Sequence, residues 1–453
     1  MDTSFESRKE TIIKEWKELV AIESVGADPM KLKECVACAL WIKAWLKPLG
    51  FKAELLSPES VKGAPPILFA QREGREDLPT VLFYGHYDVQ PADPVEAWDT
   101  PPFELTIKDD GRAYGRGAND DKGQWFAFLN GLKSLIEEGR SLPTIKIILE
   151  GQEESGSTAL SELAPEIKSR LRADVMLVCD TNAGEDLRPA IVAGLRGVGS
   201  FTVRLSGPKT DLHSGEFGGV APNPAQGIAE LVASLHHADG SIAVKGFCDG
   251  IIPPTEEEST AAAESMPDDE TLERTMGVKP MGGQIGLSSV ARMSFAPTIE
   301  VNGIHGGYGG PGSKTVIPTE AFAKISMRLV PGQNPKHVMT AVKEHLKKRC
   351  PRGLQLSIEG ESKVAPGFRL PLASPMFRLA AHVLSEFDPR GPVFLWDGAS
   401  IPIVGVLADV SGAAPLIVGF GQNGDRIHAP NESYGLDQFE KAFLWARAII
   451  LAL

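Results

Sequence analysis

Imidazole and carboxylate side chains follow three short apolar runs in this 453-residue sequence, at the points where those runs end. His86 and Asp88 follow the first run, Glu153 and Glu154 the second, and Asp180 the third. In open α/β sheets, ligand sites lie beyond the carboxyl ends of the strands. We therefore expect these side chains to meet at one sheet edge, where Asp88 can accept the second ring N–H of His86 and fix its orientation.

Two further segments add to this set. The loop Gly115–Gly123 presents Asp120 and Asp121 just before a predicted helix, and His428 follows a late apolar run. Taken alone, this loop is explained equally well as an acidic N-cap of the helix that follows it. So many carboxylates together repel one another unless cations neutralise them, and oxygen with imidazole ligands suits zinc, manganese or cobalt rather than a thiolate zinc site. The combined placement favours a centre with two divalent metal ions, with zinc as the expected metal.

Helical apolar spacing and short β-rich runs alternate in the first part of the chain, which predicts an α/β sheet with helices packed on it. The pattern predicts strands at residues 66–70, 80–84, 144–149 and 174–179, and helices at 12–20, 30–46 and 123–138.

From Gly197 the pattern changes to that of a separate α+β unit. We predict strands at 200–205 and 322–329, helices at 224–236 and 335–348, and an irregular acidic stretch at 255–273. The α/β pattern returns with a helix at 375–387, a strand at 416–419 and a helix at 436–453. The sequence thus predicts a catalytic α/β domain of residues 1–191 and 373–453, with a mixed, mostly parallel sheet, interrupted by an inserted α+β domain of residues 192–372.

The composition and the distribution of charged and apolar residues argue against several classes of protein. The net charge of −13 argues against nucleic acid or an anionic membrane surface as a partner. The first residues lack the apolar core of a signal peptide, and the densest apolar stretch, 442–453, is shorter than the ~20 residues of a membrane span. Five cysteines, an odd number, fit a reducing compartment. We therefore expect a cytoplasmic protein.

The motifs, taken in order, resemble those of the co-catalytic di-metal aminoacylase/carboxypeptidase family, and most nearly its branch of cytosolic non-specific dipeptidases and carnosinases. The resemblance implies a catalytic α/β domain and an inserted lid through which many members dimerise, so we expect a homodimer. The motifs that carry it are Gly85-His86-Tyr87-Asp88, Gly115–Gly123, Gln152–Gly156, Cys179-Asp180, Leu212–Gly215 and Ile427–Glu432.

The resemblance also implies a ligand set for two ions. Asp120 is expected to bridge both ions, with His86 and Asp180 on one and Glu154 and His428 on the other. The peptide bond that follows Asp120 is expected to be cis.

The same resemblance implies roles in catalysis and substrate binding. Glu153 is expected to act as the general base, taking a proton from a water shared by the metals and returning it to the leaving amine. Four residues match substrate-contacting positions of the family: His213, Thr315, Arg328 and Ser400. In dimeric relatives the histidine reaches the site of the other subunit. Relatives commonly read Glu-Gly-Gly-Ser where this chain has Asp397-Gly398-Ala399-Ser400. That difference leaves the side-chain preference for the substrate open.

Arg328 lies in the strand predicted at 322–329 and offers a bidentate partner for a carboxylate, unless it is simply a surface residue of that strand. With it, we predict hydrolysis of dipeptides or short peptides with a free C-terminal carboxylate. Two alternatives stay open: an N-acyl or N-carbamoyl amino acid hydrolase, and a non-catalytic scaffold. A phosphate loop is disfavoured because Ser313 stands where lysine is required, and the chain has no G-x-S-x-G serine nucleophile motif.

Overall fold

The computed structural model describes residues 4–184, 186–362, 364–398 and 401–453. The chain divides into two units. The large unit comprises Met1–Ala193, Leu370–Leu395 and Ile403–Leu453, and the inserted unit comprises Gly194–Arg369 and Trp396–Pro402.

The first stretch of the large unit alternates helices and strands. Its elements are α1 (Lys9–Val20), α2 (Leu32–Leu46), β1 (Lys52–Leu56), β2 (Ile67–Arg72), β3 (Val81–His86), β4 (Thr106–Ile107), β5 (Arg112–Tyr114), α3 (Lys122–Glu137), β6 (Ile145–Glu150), α4 (Thr158–Glu166), α5 (Lys168–Leu171), β7 (Val175–Val178) and β8 (Ala190–Leu195).

The inserted unit contains antiparallel strands and several helices. Its elements are β9 (Gly197–Ser206), β10 (Leu212–His213), α6 (Ser214–Phe217), α7 (Pro224–Ala233), α8 (Glu256–Ser265), α9 (Asp269–Met276), α10 (Ser289–Ser294), β11 (Thr298–Gly306), β12 (Val316–Ile317), β13 (Glu320–Leu329), α11 (Pro335–Arg349), β14 (Gln355–Glu359) and β15 (Phe368–Arg369).

The chain then returns to the large unit. The last elements are α12 (Pro375–Ser385), β16 (Val393–Asp397), α13 (Pro402–Ser411), β17 (Ala414–Gly419), β18 (Ser433–Gly435) and α14 (Leu436–Ala452).

The main sheet has the strand order β1-β2-β6-β3-β7-β17-β8-β15, and β16 also pairs with β8. Strand β3 runs parallel to β6 and β7, β17 runs parallel to β7, and β1, β2 and β8 pair antiparallel with their neighbours. Strands β3, β6 and β7 are buried along their whole length, as expected for parallel strands covered on both faces. The predicted α/β class with a mixed sheet is confirmed, and the sheet is partly parallel, whereas the sequence predicted a mostly parallel one.

The register of these strands sets which side chains can meet. His86 at the end of β3 pairs with Glu150 at the end of β6, and Tyr84 pairs with Val178 at the end of β7. The carboxyl ends of three adjacent strands therefore lie at one edge of the sheet, and the residues that follow them emerge side by side.

The inserted unit is built on a four-stranded antiparallel sheet with the order β11-β13-β9-β14. In β13 and β9 every second residue is buried, the period that gives a strand one core-facing side. Helices α7 and α11 contribute Ile228, Leu231, Val338 and Val342 to the same core. The outer strand β11 leaves Val301 and Ile304 exposed.

One predicted stretch differs from the structure. Residues 255–273, predicted to be irregular, contain α8 and most of α9. Thr255 and Glu258 form a reciprocal capping box at the start of α8, and Asp268 caps α9 by accepting the Thr271 N–H. These caps satisfy main-chain donors that have no partner inside a helix. The sequence analysis missed these two helices because the segment is acidic and has few apolar residues.

In the described part of the chain, no helix is both long enough and apolar enough to span a bilayer.

Candidate metal centre and active site

His86 is fully buried at the end of β3. Its Nδ1 lies 3.0 Å from the Asp88 carbonyl oxygen, which can only accept, so Nδ1 carries the proton in a neutral ring. Its Nε2 then presents a lone pair, 3.2 Å from Asp120 Oδ1 and 3.7 Å from Asp180 Oδ2. This buried nitrogen has no hydrogen-bond partner among the described residues. A lone pair facing two carboxylates requires a positive charge between them.

The second group of ligand atoms lies on the other side of Asp120. His428 Nε2 is 2.9 Å from Asp120 Oδ2 and 3.2 Å from Glu154 Oε2. The two oxygens of Asp120 thus face two different imidazoles, since Oδ1 faces His86. This is the geometry that a carboxylate shared between two cations requires.

The pKa values of the imidazoles show how strongly the site favours positive charge. Burial opposes charge on His86, but the carboxylates of Asp120, Asp88 and Asp180 outweigh burial and raise its pKa well above its usual value. Hydrogen bonds to Asp120 and Glu154 raise the pKa of His428 to about 10. In the metal-free protein, protons on these rings supply the charge that cations would otherwise supply.

Two groups of side chains can each hold a metal ion, and the ligand atoms within each group lie within 4.8 Å of one another. One group is Asp120, Glu154 and His428, and the other is His86, Asp121 and Asp180. Their nitrogen and oxygen donors fit zinc, manganese or cobalt.

Asp121 was not among the predicted ligands. It is fully buried, and its Oδ2 accepts the His86 main-chain N–H at 3.2 Å. The peptide bond between Asp120 and Asp121 is cis, as the resemblance implied. The only signal for Asp121 in the sequence was its position beside Asp120. Adjacency alone does not show towards which neighbours each of the two side chains points.

Glu153 and Glu154 lie in the single turn Glu153–Ser155 that follows β6. The carboxylate of Asp88 holds this turn, because it accepts the N–H of Glu153 and that of Glu154, each at 3.2 Å. Gln90 Nε2 donates to Glu154 Oε2 at 2.6 Å. Asp88 therefore lies between the His86 ring and the two glutamates and orients both.

Glu153 is not a member of either group of ligands found among the described residues. Burial raises its pKa well above the usual value, and the negative charges of Asp180, Glu154 and Asp120 add to that effect against the opposing charge of His86. Burial likewise raises the pKa of Asp180 to about 7. Because a metal ion must displace the protons on Asp180 and on the two imidazoles, metal affinity should rise with pH.

The inserted unit brings two predicted residues together. His213 Nδ1 accepts the Gly215 N–H at 3.1 Å, which places the proton of a neutral ring on Nε2. That nitrogen lies 3.1 Å from Thr315 Oγ1. Both residues are exposed. Arg328 is half-buried on β13, between Thr298 of β11 and Val198 of β9. The predicted substrate contact Ser400 lies outside the described residues.

The family model of peptidase family M20/M25/M40 matches residues 82–452. This chain belongs to that family. The match begins one residue into β3 and covers β6, β7, the inserted unit and every residue of the two ligand groups.

Individual members of the M20 family are similar over almost the whole chain. A rat Beta-Ala-His dipeptidase is 32% identical, with 92% of this chain and 87% of the relative covered. A Cys-Gly metallodipeptidase from Schizosaccharomyces pombe is 30% identical, with 96% and 94% covered. The crystallised dipeptidase Dug1p from Saccharomyces cerevisiae superimposes with a TM-score of 0.81 at 26% identity, covering 99% of this chain and 97% of that one.

The M20 assignment confirms three predictions: the family resemblance, the α/β fold with an inserted unit, and an enzyme of the metallopeptidase class. The non-catalytic scaffold is thereby disfavoured. The imidazoles of His86 and His428 each contact a different oxygen of Asp120, and this arrangement suits a carboxylate shared by two metal ions.

Proposed function

We propose that this M20 peptidase hydrolyses the peptide bond of dipeptides and short peptides with a free C-terminal carboxylate, using two divalent metal ions. The observation that carries the proposal is the orientation of Asp120, whose two oxygens face His86 and His428 separately. The dipeptidase names of relatives that cover nearly the whole chain support the substrate class.

In this proposal Asp120 would be a ligand of both ions. His86 and Asp180 would hold one ion, and Glu154 and His428 would hold the other. Imidazole nitrogens and carboxylate oxygens suit zinc, manganese and cobalt, and of these we propose zinc as the native metal. When bound, such a pair of ions polarises a carbonyl and lowers the pKa of water towards ~7.

Glu153 is proposed as the general base. It stands beside the ligand Glu154 in the turn held by Asp88, so its position relative to the ligands is fixed by the main chain. The carboxylate takes a proton from the attacking water and then donates it to the leaving amine. Burial raises the pKa of Glu153 above its usual value in the metal-free protein, so its carboxyl group holds a proton more readily than that of an exposed glutamate.

His213 is proposed to stabilise the oxyanion of the tetrahedral intermediate. Because Nδ1 accepts from Gly215, the ring presents an N–H at Nε2, which donates to Thr315 in the structure. An oxyanion would replace the Thr315 hydroxyl as the acceptor of this N–H. Loss of one such donor typically costs ~10²–10³ in kcat.

One experiment tests the proposed function and its alternative. The purified protein, loaded with zinc or manganese, is incubated with a mixed library of dipeptides, N-acyl amino acids and N-carbamoyl amino acids, and the products are identified by mass spectrometry. We expect hydrolysis of dipeptides, and its loss after chelation. Turnover confined to the N-acyl or N-carbamoyl compounds would establish the alternative, and no turnover of any class would contradict the proposal.

Arg328 is the proposed partner of the substrate carboxylate. We expect dipeptides with a free C-terminus to be cleaved and their C-terminal amides to be poor substrates. Arg328→Met should raise KM and lower kcat together, since anchoring also orients the scissile bond. Arg204, another arginine of the inserted unit, pairs with Glu320 and Glu359, and Arg204→Met is the matched control that should keep the preference for acids. Equal rates on acid and amide substrates would exclude this role.

We propose that the protein is a homodimer formed through the inserted unit, with each active site completed by the partner's histidine. The outer strand β11 supports this, because an edge strand presents unpaired main-chain groups and this one also exposes Val301 and Ile304.

Mixing two inactive variants tests this arrangement. Glu153→Gln and His213→Ala proteins should regain activity when their subunits exchange, because some mixed dimers then contain one site with both groups intact. The matched control mixes Glu153→Gln with Asp120→Ala, whose defects lie in the same unit, and should stay inactive. Mass-tagged subunits report the exchange. Demonstrated exchange without recovered activity would place His213 in its own chain's site.

We also propose a cytoplasmic location. All five cysteines are free thiols, and Cys35 and Cys38 are buried one helical turn apart in α2. Burial raises the pKa of the Cys35 thiol to about 12, which makes it a poor nucleophile and fits a structural role.

A further inference from the structure

The segment that carries His428 has an unusual main chain. Arg426, His428 and Asn431 all have positive φ angles, of 57°, 61° and 64°. Residues with a Cβ rarely adopt this region, and they stay there only when surrounding contacts hold them. Two buried carboxylates, Asp425 and Glu432, lie at the two ends of this segment, and neither is a member of the ligand groups.

Glu432 accepts four hydrogen bonds from the loop that carries Asp120. Its Oε2 accepts from Arg116 Nη1 at 2.6 Å and from the Gly117 N–H at 3.0 Å. Its Oε1 accepts from the Asn119 N–H and the Asp120 N–H, both at 3.0 Å. The main chain of the shared ligand is therefore bound directly to a carboxylate four residues after His428.

The same two segments are joined at a second place. Asp425 Oδ2 accepts from Asn119 Nδ2 at 2.7 Å, and from Gln438 Nε2 at 2.9 Å. Arg116 also donates through Nη2 to the Ala429 carbonyl oxygen at 3.4 Å, next to His428. Hydrogen bonds thus hold both ends of the histidine segment to the loop of Asp120.

We propose that Glu432 is a positioning residue that sets the distance between Asp120 and His428 and thereby the affinity for the metal ions. The inference rests on the proposed two-metal function. Glu432 does not touch the substrate in this role. The Glu432 carboxylate fixes the main chain of Asp120, and the segment that contains Glu432 also carries His428. The 2.9 Å separation between His428 Nε2 and Asp120 Oδ2 therefore depends on Glu432.

The test is Glu432→Gln, which keeps the volume of the side chain but replaces one acceptor oxygen with an NH₂ donor. Two of the four donors then lose their acceptor. Mutating a group that orients a metal ligand typically lowers metal affinity by about 10–100-fold, so we expect Glu432→Gln to lose affinity for zinc by that factor. Dissociation constants for zinc are measured by competition with a chromophoric chelator on the full chain, together with the melting temperature of the metal-free protein.

Glu258→Gln is the matched control. Glu258 is also a buried carboxylate that accepts a main-chain N–H, from Thr255 at 2.8 Å, and it pairs with Arg369 at 3.3 Å in the inserted unit. Both variants should melt at a lower temperature, but the control should keep wild-type zinc affinity. If Glu432→Gln is insoluble, Arg116→Lys tests the same connection between the two segments. Lysine cannot reproduce the two separate donors that Arg116 directs to Glu432 and to the Ala429 carbonyl oxygen, and a smaller loss of affinity is expected.

Wild-type zinc affinity in Glu432→Gln, or an equal loss in both variants, would overturn the inference and leave the proposed function intact. Failure of the wild-type protein to bind zinc or manganese would instead contradict the proposed function itself. The two failures are therefore distinguishable in one set of titrations.

Discussion

Replacing Glu153 with glutamine should leave both metal positions occupied and lower kcat by about 10³-fold. Glutamine has nearly the same shape, but it cannot accept a proton from water or return one to an amine, and such transfer contributes ~10²–10⁴ in rate. Glu153 belongs to neither ligand group, so removing its charge does not remove a ligand. The measurement pairs steady-state kinetics on a dipeptide with metal analysis of the same sample.

The adjacent residue provides the control. Glu154 Oε2 lies 3.2 Å from His428 Nε2 and belongs to a ligand group, so Glu154→Gln makes the same chemical change one position along the chain. We expect this variant to lose metal as well as activity. If Glu153→Gln also loses metal, the glutamate acts as a ligand, and if it keeps near-normal turnover the base must be sought elsewhere.

The strands that position the site could be predicted because each contains an uninterrupted apolar run: residues 81–84 in β3, 147–149 in β6 and 175–178 in β7. Strands β3, β6 and β7 are buried on both faces, so hydrophobicity alone marks them, and the first charged residue after each run marks its end. Helices α8 and α9 could not be found in this way. Only Glu258, Ala262 and Leu272 are buried in them, and their ends depend on capping side chains.

Apart from Asp121, the residues of the two candidate ligand groups could be predicted, because each follows an apolar run or lies in the glycine-rich loop Gly115–Gly123. The contacts that hold them could not. Glu432 and Asp425 bind a loop more than 300 residues earlier in the chain, and no local pattern encodes such a pairing. The sequence also did not show that Asp121 accepts the main-chain N–H of His86 while Asp120 faces the ring of the same residue, because that arrangement depends on main-chain geometry.

The position of Asp120 between the two imidazoles leads to the prediction with the broadest effect on metal binding. Asp120→Ala should bind neither ion at concentrations that saturate the wild-type protein, because one carboxylate serves both positions. Removing it also leaves His86 and His428 facing each other across the site without their common acceptor. Metal content after desalting, measured by mass spectrometry, should fall from two ions per chain towards none.

Asp180→Ala separates a shared ligand from a ligand of one ion. Asp180 Oδ2 lies near His86, at 3.7 Å, and belongs only to the group of that histidine. This variant should therefore retain the ion held by Glu154 and His428 and bind about one ion per chain. The contrast between the two variants is the decisive result, because a general loss of folding would remove both ions from each, whereas a bridging carboxylate predicts different stoichiometries. Two retained ions in Asp120→Ala would show that the two sites are independent.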